Sequence, residues 1–163
     1  MICLQSGTVM AFSQMDVFTP EKRSEVMSRI RCRDTRPELA LRSILHRLGY
    51  RFTVSGPRNK TLPGRPDIVL PKLQTVVFVH GCYWHGHKNC SDFRLPSTRR
   101  DWWSAKIMGN SARDRRNEAA ILALGWHVVT IWACALKNTH ARSWLEAQLP
   151  SLLASETIPD PPS

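Results

Sequence analysis

The chain has 163 residues, 42% of them hydrophobic, and no apolar run long enough to span a bilayer, which fits one globular domain rather than a membrane-spanning one. Lys and Arg number 23 against 13 Asp and Glu, giving a formal net charge of +10 and a pI of about 10.0, a balance suited to a polyanion such as nucleic acid. The cysteine count of 5 is odd, which argues against a disulfide framework and for a reducing cytoplasm.

Residues 1–18 read as a flexible N-terminal extension. Met1 to Phe12 lack the basic leader and apolar core of a signal peptide, and Met15 is a second candidate initiator. A helix starts at Thr19, with Thr19 as N-cap, Pro20 in the first turn and Glu21 at the positive end of the dipole. Val26, Met27 and Ile30 give it a thin apolar stripe among Lys22, Arg23, Arg29, Arg31 and Arg33. It suits either a solvated amphipathic helix or one laid along a phosphate backbone.

Thr35-x-x-Glu38 is a capping box that opens a second helix, with Leu41, Ile44, Leu45 and Leu48 on one face and Gly49 as its stop. Glu38 thereby has a structural role before any chemical one. Tyr50 to Val54 is expected as a first strand, Gly56 to Gly64 as a loop, and Ile68 to Leu70 as a second strand. Asp67, in Arg65-Pro66-Asp67, stands just before the near-continuous apolar strand Thr75 to Val79, whose far end it is expected to reach. A carboxylate in that place is how PD-(D/E)xK nucleases hold Mg²⁺. The second acid and the lysine of that pattern are missing, so His80 or His85 has to supply the absent function.

The segment His80 to Cys90 carries more chemistry than a turn needs. Cys82, His87 and Cys90, with the remote Cys134, make a Cys3His set suited to tetrahedral zinc, and closing it holds Tyr83 and Trp84 on a short rigid loop. Thr98-x-x-Asp101 is expected to open a basic helix or helix pair ending near Leu124 and Gly125. Its adjacent Trp102 and Trp103 lie about 100° apart, so one is free to face the core and the other solvent, where an indole beside arginines suits base stacking. His127 to Trp132 reads as a buried strand beside Thr75 to Val79, bringing Cys134 to the zinc set, and Ala141 to Leu149 as a last helix. One domain over residues 19–149 is expected, then a disordered tail over 150–163.

R-D-T-R-P-E at Arg33 to Glu38, L-P-G-R-P-D at Leu62 to Asp67, V-F-V-H-G-C-Y-W-H-G-H at Val77 to His87, W-x-x-K-I-x-x-N at Trp103 to Asn110, A-R-D-R-R at Ala112 to Arg116 and G-W-H-V-V-T-I-W-A-C-A-L at Gly125 to Leu136 follow in one order. Together they resemble the very short patch repair endonucleases over roughly Thr19 to Leu136. The resemblance implies a restriction-endonuclease-like α/β fold, with a central mixed sheet flanked by helices and one structural zinc site. It implies a Mg²⁺-dependent nick in double-stranded DNA, 5′ of the thymine in a T:G mismatch left by deamination of 5-methylcytosine.

Carried over by position, the resemblance makes Asp67 and the main-chain carbonyl of Val79 the Mg²⁺ ligands and His85 the group that activates water. Glu38 falls near the metal site and His80 becomes a second active-site histidine. Cys82, His87, Cys90 and Cys134 become the Zn²⁺ ligands. Tyr83, Trp84 and Trp103 form a wedge from the major groove, Met27 one from the minor groove, and Trp102 is left in the core. Tyr83 stands where Phe is usual, and Val79 where Thr is frequent. A monomer acting in the bacterial cytoplasm is implied, linked in function to a DNA cytosine methyltransferase and to mismatch-repair proteins. Two alternatives remain at this point: a zinc-stabilised DNA-binding module in which Asp67 and Glu38 are turn and cap residues, and a restriction-type nuclease of other specificity.

Overall fold

A computed structural model describes Thr19, Lys22, Glu25 and residues 33–154. Lys22 and Glu25 are helical and the Lys22 amide donates to Thr19 Oγ1 at 3.3 Å, as the expected N-cap requires. Met27 lies outside the described residues.

The first fully described helix, α1, is Arg36–Arg47. The capping box forms in altered form. Glu38 reaches back to accept from the Asp34 amide at 3.0 Å and from Thr35 Oγ1 at 2.8 Å, so the Thr35 hydroxyl serves the carboxylate rather than a helix N–H.

A short helix α2, Pro57–Thr61, occupies the stretch expected as loop, and three strands follow in the order β1 Ile68–Leu70, β2 Thr75–His80 and β3 His127–Trp132. β1 runs antiparallel to β2 and β2 parallel to β3, a mixed sheet. The strand expected over Tyr50 to Val54 reduces to a single bridge between Thr53 and Val69. Its alternation is real, since Tyr50, Phe52 and Val54 pack on the core. Beyond Thr53, however, Asn59 takes over the backbone, donating to the carbonyls of Thr53 at 3.0 Å and Pro66 at 3.1 Å, and the pairing ends.

Period-two alternation sorts the sheet into two faces. Ile68, Leu70, Val77, Val129 and Ile131 meet Leu41, Ile44 and Leu45 of α1 and Leu145, Leu149, Leu152 and Leu153 of the last helix. Val69, Val76 and Val128 meet Ile121 on the other side. That residue belongs to α4, Arg100–Ala123, one continuous helix of 24 residues. Between β2 and α4 lies the single-turn helix α3, Cys82–His85, and after β3 a 3-10 turn at Ala133–Leu136 carries Cys134.

Two helix boundaries differ from expectation. Thr98 does not cap α4, because Arg99 adopts the left-handed conformation (φ 50°) at the N-cap position and puts Thr98 outside it. The last helix, α5, is Thr139–Ala154 and passes through Pro150 rather than ending at Leu149. Proline forfeits one backbone hydrogen bond, but burial of Leu152 and Leu153 at about 2 kcal/mol each offsets that loss.

Candidate active site and Cys/His cluster

β1 stops at Ile68, opposite Val77, so Phe78 to His80 overhang it on that edge. The next residue back, Asp67, fills the gap with its side chain, and the Val79 N–H donates to Asp67 Oδ2 at 2.8 Å. A strand residue's N–H and C=O leave on the same edge, so the Val79 carbonyl opens on the Asp67 side as well.

Asp67, Glu38, His80, His85, Arg113, Asp114 and Asn117 share the lining of one cleft of about 300 Å³ at this end of the sheet. Gly64 also lines it, with φ +71°, and an added Cβ would sit 2.9 Å from Asn117 Nδ2, so the approach to α4 requires glycine.

Burial pushes the Asp67 carboxyl above its ordinary value, the neighbouring Glu38 adds to the rise, and the Val79 N–H opposes it. Glu38 itself is buried and also accepts from Arg42 Nη2 at 3.0 Å. The cleft therefore holds a carboxylate that gains from a hard cation. Although His80, His85 and Arg113 line the same cleft, the two groups that share this edge, the Asp67 carboxylate and the Val79 carbonyl, are oxygen donors of the kind Mg²⁺ takes.

His85 Nδ1 lies 2.6 Å from Asp114 Oδ2. A carboxylate only accepts, so the contact places a proton on Nδ1 and makes Nε2 the nitrogen that faces away from Asp114, the arrangement a general base acting through Nε2 needs. The His80 ring stacks on His85 with centroids 3.9 Å apart and an interplanar angle of 9°. Burial first, then the neighbouring His85, push the His80 pKa down to about 4, so this ring is neutral at physiological pH. Asp114 received no role from the sequence, although it is the one acid in Ala112-Arg113-Asp114-Arg115-Arg116, an isolation that could have marked it.

One turn away, Cys82, His87, Cys90 and Cys134 bring one ligand atom each within 4.8 Å of one another, a cluster able to hold a metal ion. Cys134 Sγ lies 3.6 Å from His87 Nδ1. A tetrahedral zinc with ordinary Zn–S and Zn–N bonds separates such a pair by about 3.5 Å, so the donor set fits with little rearrangement. Burial and the adjacent Cys82 push the Cys134 thiol up to about 12, and burial raises Cys82 as well. Buried as they are, Cys82 and Cys134 resist ionisation, and a bound divalent ion removes that resistance. His87 stacks flat on Trp132, centroids 4.1 Å apart at 1°, which fixes its ring.

The loop bracketed by Cys82 and His87 is tied to α4. Asn110 Nδ2 donates to the Trp84 carbonyl at 2.9 Å. Gly86 turns with φ +68° against Ile107, where an added Cβ would meet Cγ2 at 2.8 Å. Tyr83, Trp84 and Trp103 form one aromatic group, Tyr83 lying 5.3 Å from Trp84 and 5.5 Å from Trp103, and Trp84 6.0 Å from Trp103. Trp102 departs from expectation. It is 46% exposed rather than in the core, because Trp103 takes the side of α4 that faces the loop and the next position is turned by about 100° toward solvent.

A family model described as DNA mismatch endonuclease Vsr matches residues 15–91. The type II nicking enzyme V.XorIIP of Xanthomonas oryzae pv. oryzae is 49% identical over 138 residues, 85% of this chain and 96% of that protein. The DNA mismatch endonuclease Vsr of Escherichia coli K12 is 43% identical over 123 residues, 76% of each chain. The type II nicking enzyme V.NmeAIP of Neisseria meningitidis is 42% identical over 123 residues, 76% of this chain and 85% of that protein. Among the described residues, no helix is long and apolar enough to cross a membrane.

Proposed function

This chain belongs to the Vsr family of DNA mismatch endonucleases, and on that premise we propose that it nicks double-stranded DNA 5′ of the thymine in a T:G mismatch, by Mg²⁺-dependent hydrolysis. The observation that carries the reading is the shared cleft of Asp67, His85 and Asp114 beside a ring-bearing loop flanked by two members of a Cys/His cluster able to hold a metal ion.

Asp67 and the Val79 carbonyl would hold Mg²⁺, which when bound draws charge from the scissile phosphate and favours its attack. Asp114 holds the proton of His85 at Nδ1, so His85 Nε2 takes the proton of the attacking water. His80, neutral and stacked against it, keeps that ring from turning. Glu38 is fixed by Arg42 and by the start of α1, and it keeps negative potential beside Asp67.

Cys82, His87, Cys90 and Cys134 would bind Zn²⁺ as a structural ion. Tyr83, Trp84 and Trp103 then enter the duplex at the mismatch from the major groove, and Met27 from the minor groove. A T:G pair stacks less well than a matched one, so separating it costs less, and that difference is the selectivity. Deamination of 5-methylcytosine is the source of such pairs, which links the activity to a DNA cytosine methyltransferase.

The test is a nicking assay on duplexes carrying T:G, the other mispairs or full pairing, with and without Mg²⁺. A product cut 5′ of the mismatched thymine, dependent on Mg²⁺ and absent for Asp67→Ala and His85→Ala, is the expected result. Binding without any cut would leave a zinc-stabilised DNA-binding module, and equal cutting of paired duplex a restriction-type nuclease.

A further inference from the structure

The aromatic surface continues past the three rings assigned to the wedge. Trp102 stands edge-on to Trp103, centroids 4.8 Å apart at 86°, and the Arg99 guanidinium carbon lies 4.8 Å from its ring centre. A row therefore runs from Tyr83 through Trp103 to Trp102 and ends on a cation. Helix geometry explains why Trp102 points outward. It does not explain why that outward position carries a large apolar ring with an arginine laid on it, where a polar residue would hydrate better.

We infer that Trp102 and Arg99 together bind the DNA backbone next to the opened step, with Arg99 neutralising one phosphate and the indole covering the adjoining sugar. The inference rests on the mismatch-nicking reading and extends its contact surface by one more ring. Trp103 touches both other wedge rings, so a duplex seated on them continues over Trp102. The step from Trp103 to Trp102 is 4.8 Å, of the same order as the roughly 3.4 Å between successive base pairs, which puts Trp102 about one or two nucleotides from the mismatch. An arginine stacked on an indole loses less side-chain freedom when it meets an anion, and its planar fork matches phosphate. The backbone is favoured over a base edge because the contact lies outside the unstacked step, where bases remain paired.

The experiment is equilibrium binding of the full chain to a T:G duplex over a range of salt, for the parent, Arg99→Gln, Trp102→Leu, Trp102→Phe and the Arg99→Gln/Trp102→Leu pair. Metal content and melting temperature serve as fold controls. Arg99→Gln should weaken binding about tenfold and lower the slope of log K against log salt by about 1. Trp102→Leu should weaken binding similarly, Trp102→Phe less, and the double variant little more than either alone. Neutral methylphosphonates placed singly along each strand should find one position beside the mismatch that costs the parent affinity and leaves Arg99→Gln indifferent.

Parental affinity and salt slope in both single variants would overturn the inference, as would a methylphosphonate scan identical for parent and Arg99→Gln. If the parent fails to nick T:G duplex with Mg²⁺ while the binding effects appear, the nicking reading falls and the backbone contact stands. If nicking is intact and the binding effects are absent, the reverse holds.

Discussion

Replacing Asp114 by Asn tests the assignment of His85 most directly. The parent carboxylate accepts from His85 Nδ1 across 2.6 Å, a short contact of the charge-assisted kind. Such a bond contributes about 1.5–3 kcal/mol. If it serves only to hold the ring in the right tautomer for proton transfer, losing it slows the chemical step by roughly 10- to 150-fold, at about 1.4 kcal/mol per decade.

Asparagine adds a specific harm, because its amide can donate to Nδ1 and so leave the proton on Nε2, where the lone pair is needed. Asp114→Asn should therefore be no better than Asp114→Ala despite keeping the shape. The assay is single-turnover nicking of T:G duplex with the enzyme in excess, alongside equilibrium binding. The expected outcome is a slower chemical step with little change in affinity. Asp114→Asn nicking at the parental rate would refute the His85–Asp114 pairing as a working unit.

Asp67→Asn should abolish cleavage in the presence of Mg²⁺, and in the metal-free protein it should not lower the melting temperature at neutral pH. Burial raises the Asp67 pKa, so ionising it opposes folding as pH rises from the unfolded value of 3.8 through the raised folded one, and the amide keeps an acceptor for the Val79 N–H. Cys134→Ser should remove about one equivalent of zinc per chain and lower the melting temperature; metal analysis with calorimetry checks both, and a fully loaded variant would count against the Cys/His cluster as the site. His80 has a depressed folded pKa, so the stability it contributes is present above the unfolded 6.5 and lost as pH falls toward about 4, a change of at most about 3 kcal/mol. Denaturant titrations of His80→Phe and parent at pH 7 and pH 4.5 should show the parent losing more on acidification. Gly86→Ala should destabilise the loop, since the added methyl meets Ile107 Cγ2 at 2.8 Å in a left-handed turn; an unchanged melting temperature would show that the turn relaxes freely.

What the sequence made legible was short-range chemistry on strong periodicity. β2 and β3 were readable from apolar runs bounded by glycine, and the gathering of Cys82, His87, Cys90 and Cys134 followed once those strands lay side by side. Asp67 beside Val79 was readable because a turn residue just before β1 necessarily faces the overhang of its neighbour. Partnerships across long separations were not. Asp114 meets His85 only through the crossing of α4 over the loop, and although its place as the one acid among arginines marks it as unusual, nothing there names His85 as its partner. Pro150 read as a stop because local propensity opposes it, whereas Leu152 and Leu153 hold the helix together through distant packing. Trp102 was misassigned because two adjacent indoles give no local sign of which one faces the loop.

The brevity of α3 divides labour among its residues. Cys82 and His85 stand one turn apart, at the two ends of four helical positions, while Tyr83 and Trp84 occupy the pair between. Inserting a single residue there would swing the imidazole by about 100° relative to the thiol, so length is frozen. Identity at the two middle positions is not, because in the proposed mechanism neither Tyr83 nor Trp84 holds a metal or moves a proton. Under the proposed mechanism, one flat ring could therefore be exchanged for another to tune how hard the protein pries at a duplex, with the spacing of Cys82 and His85 left unchanged.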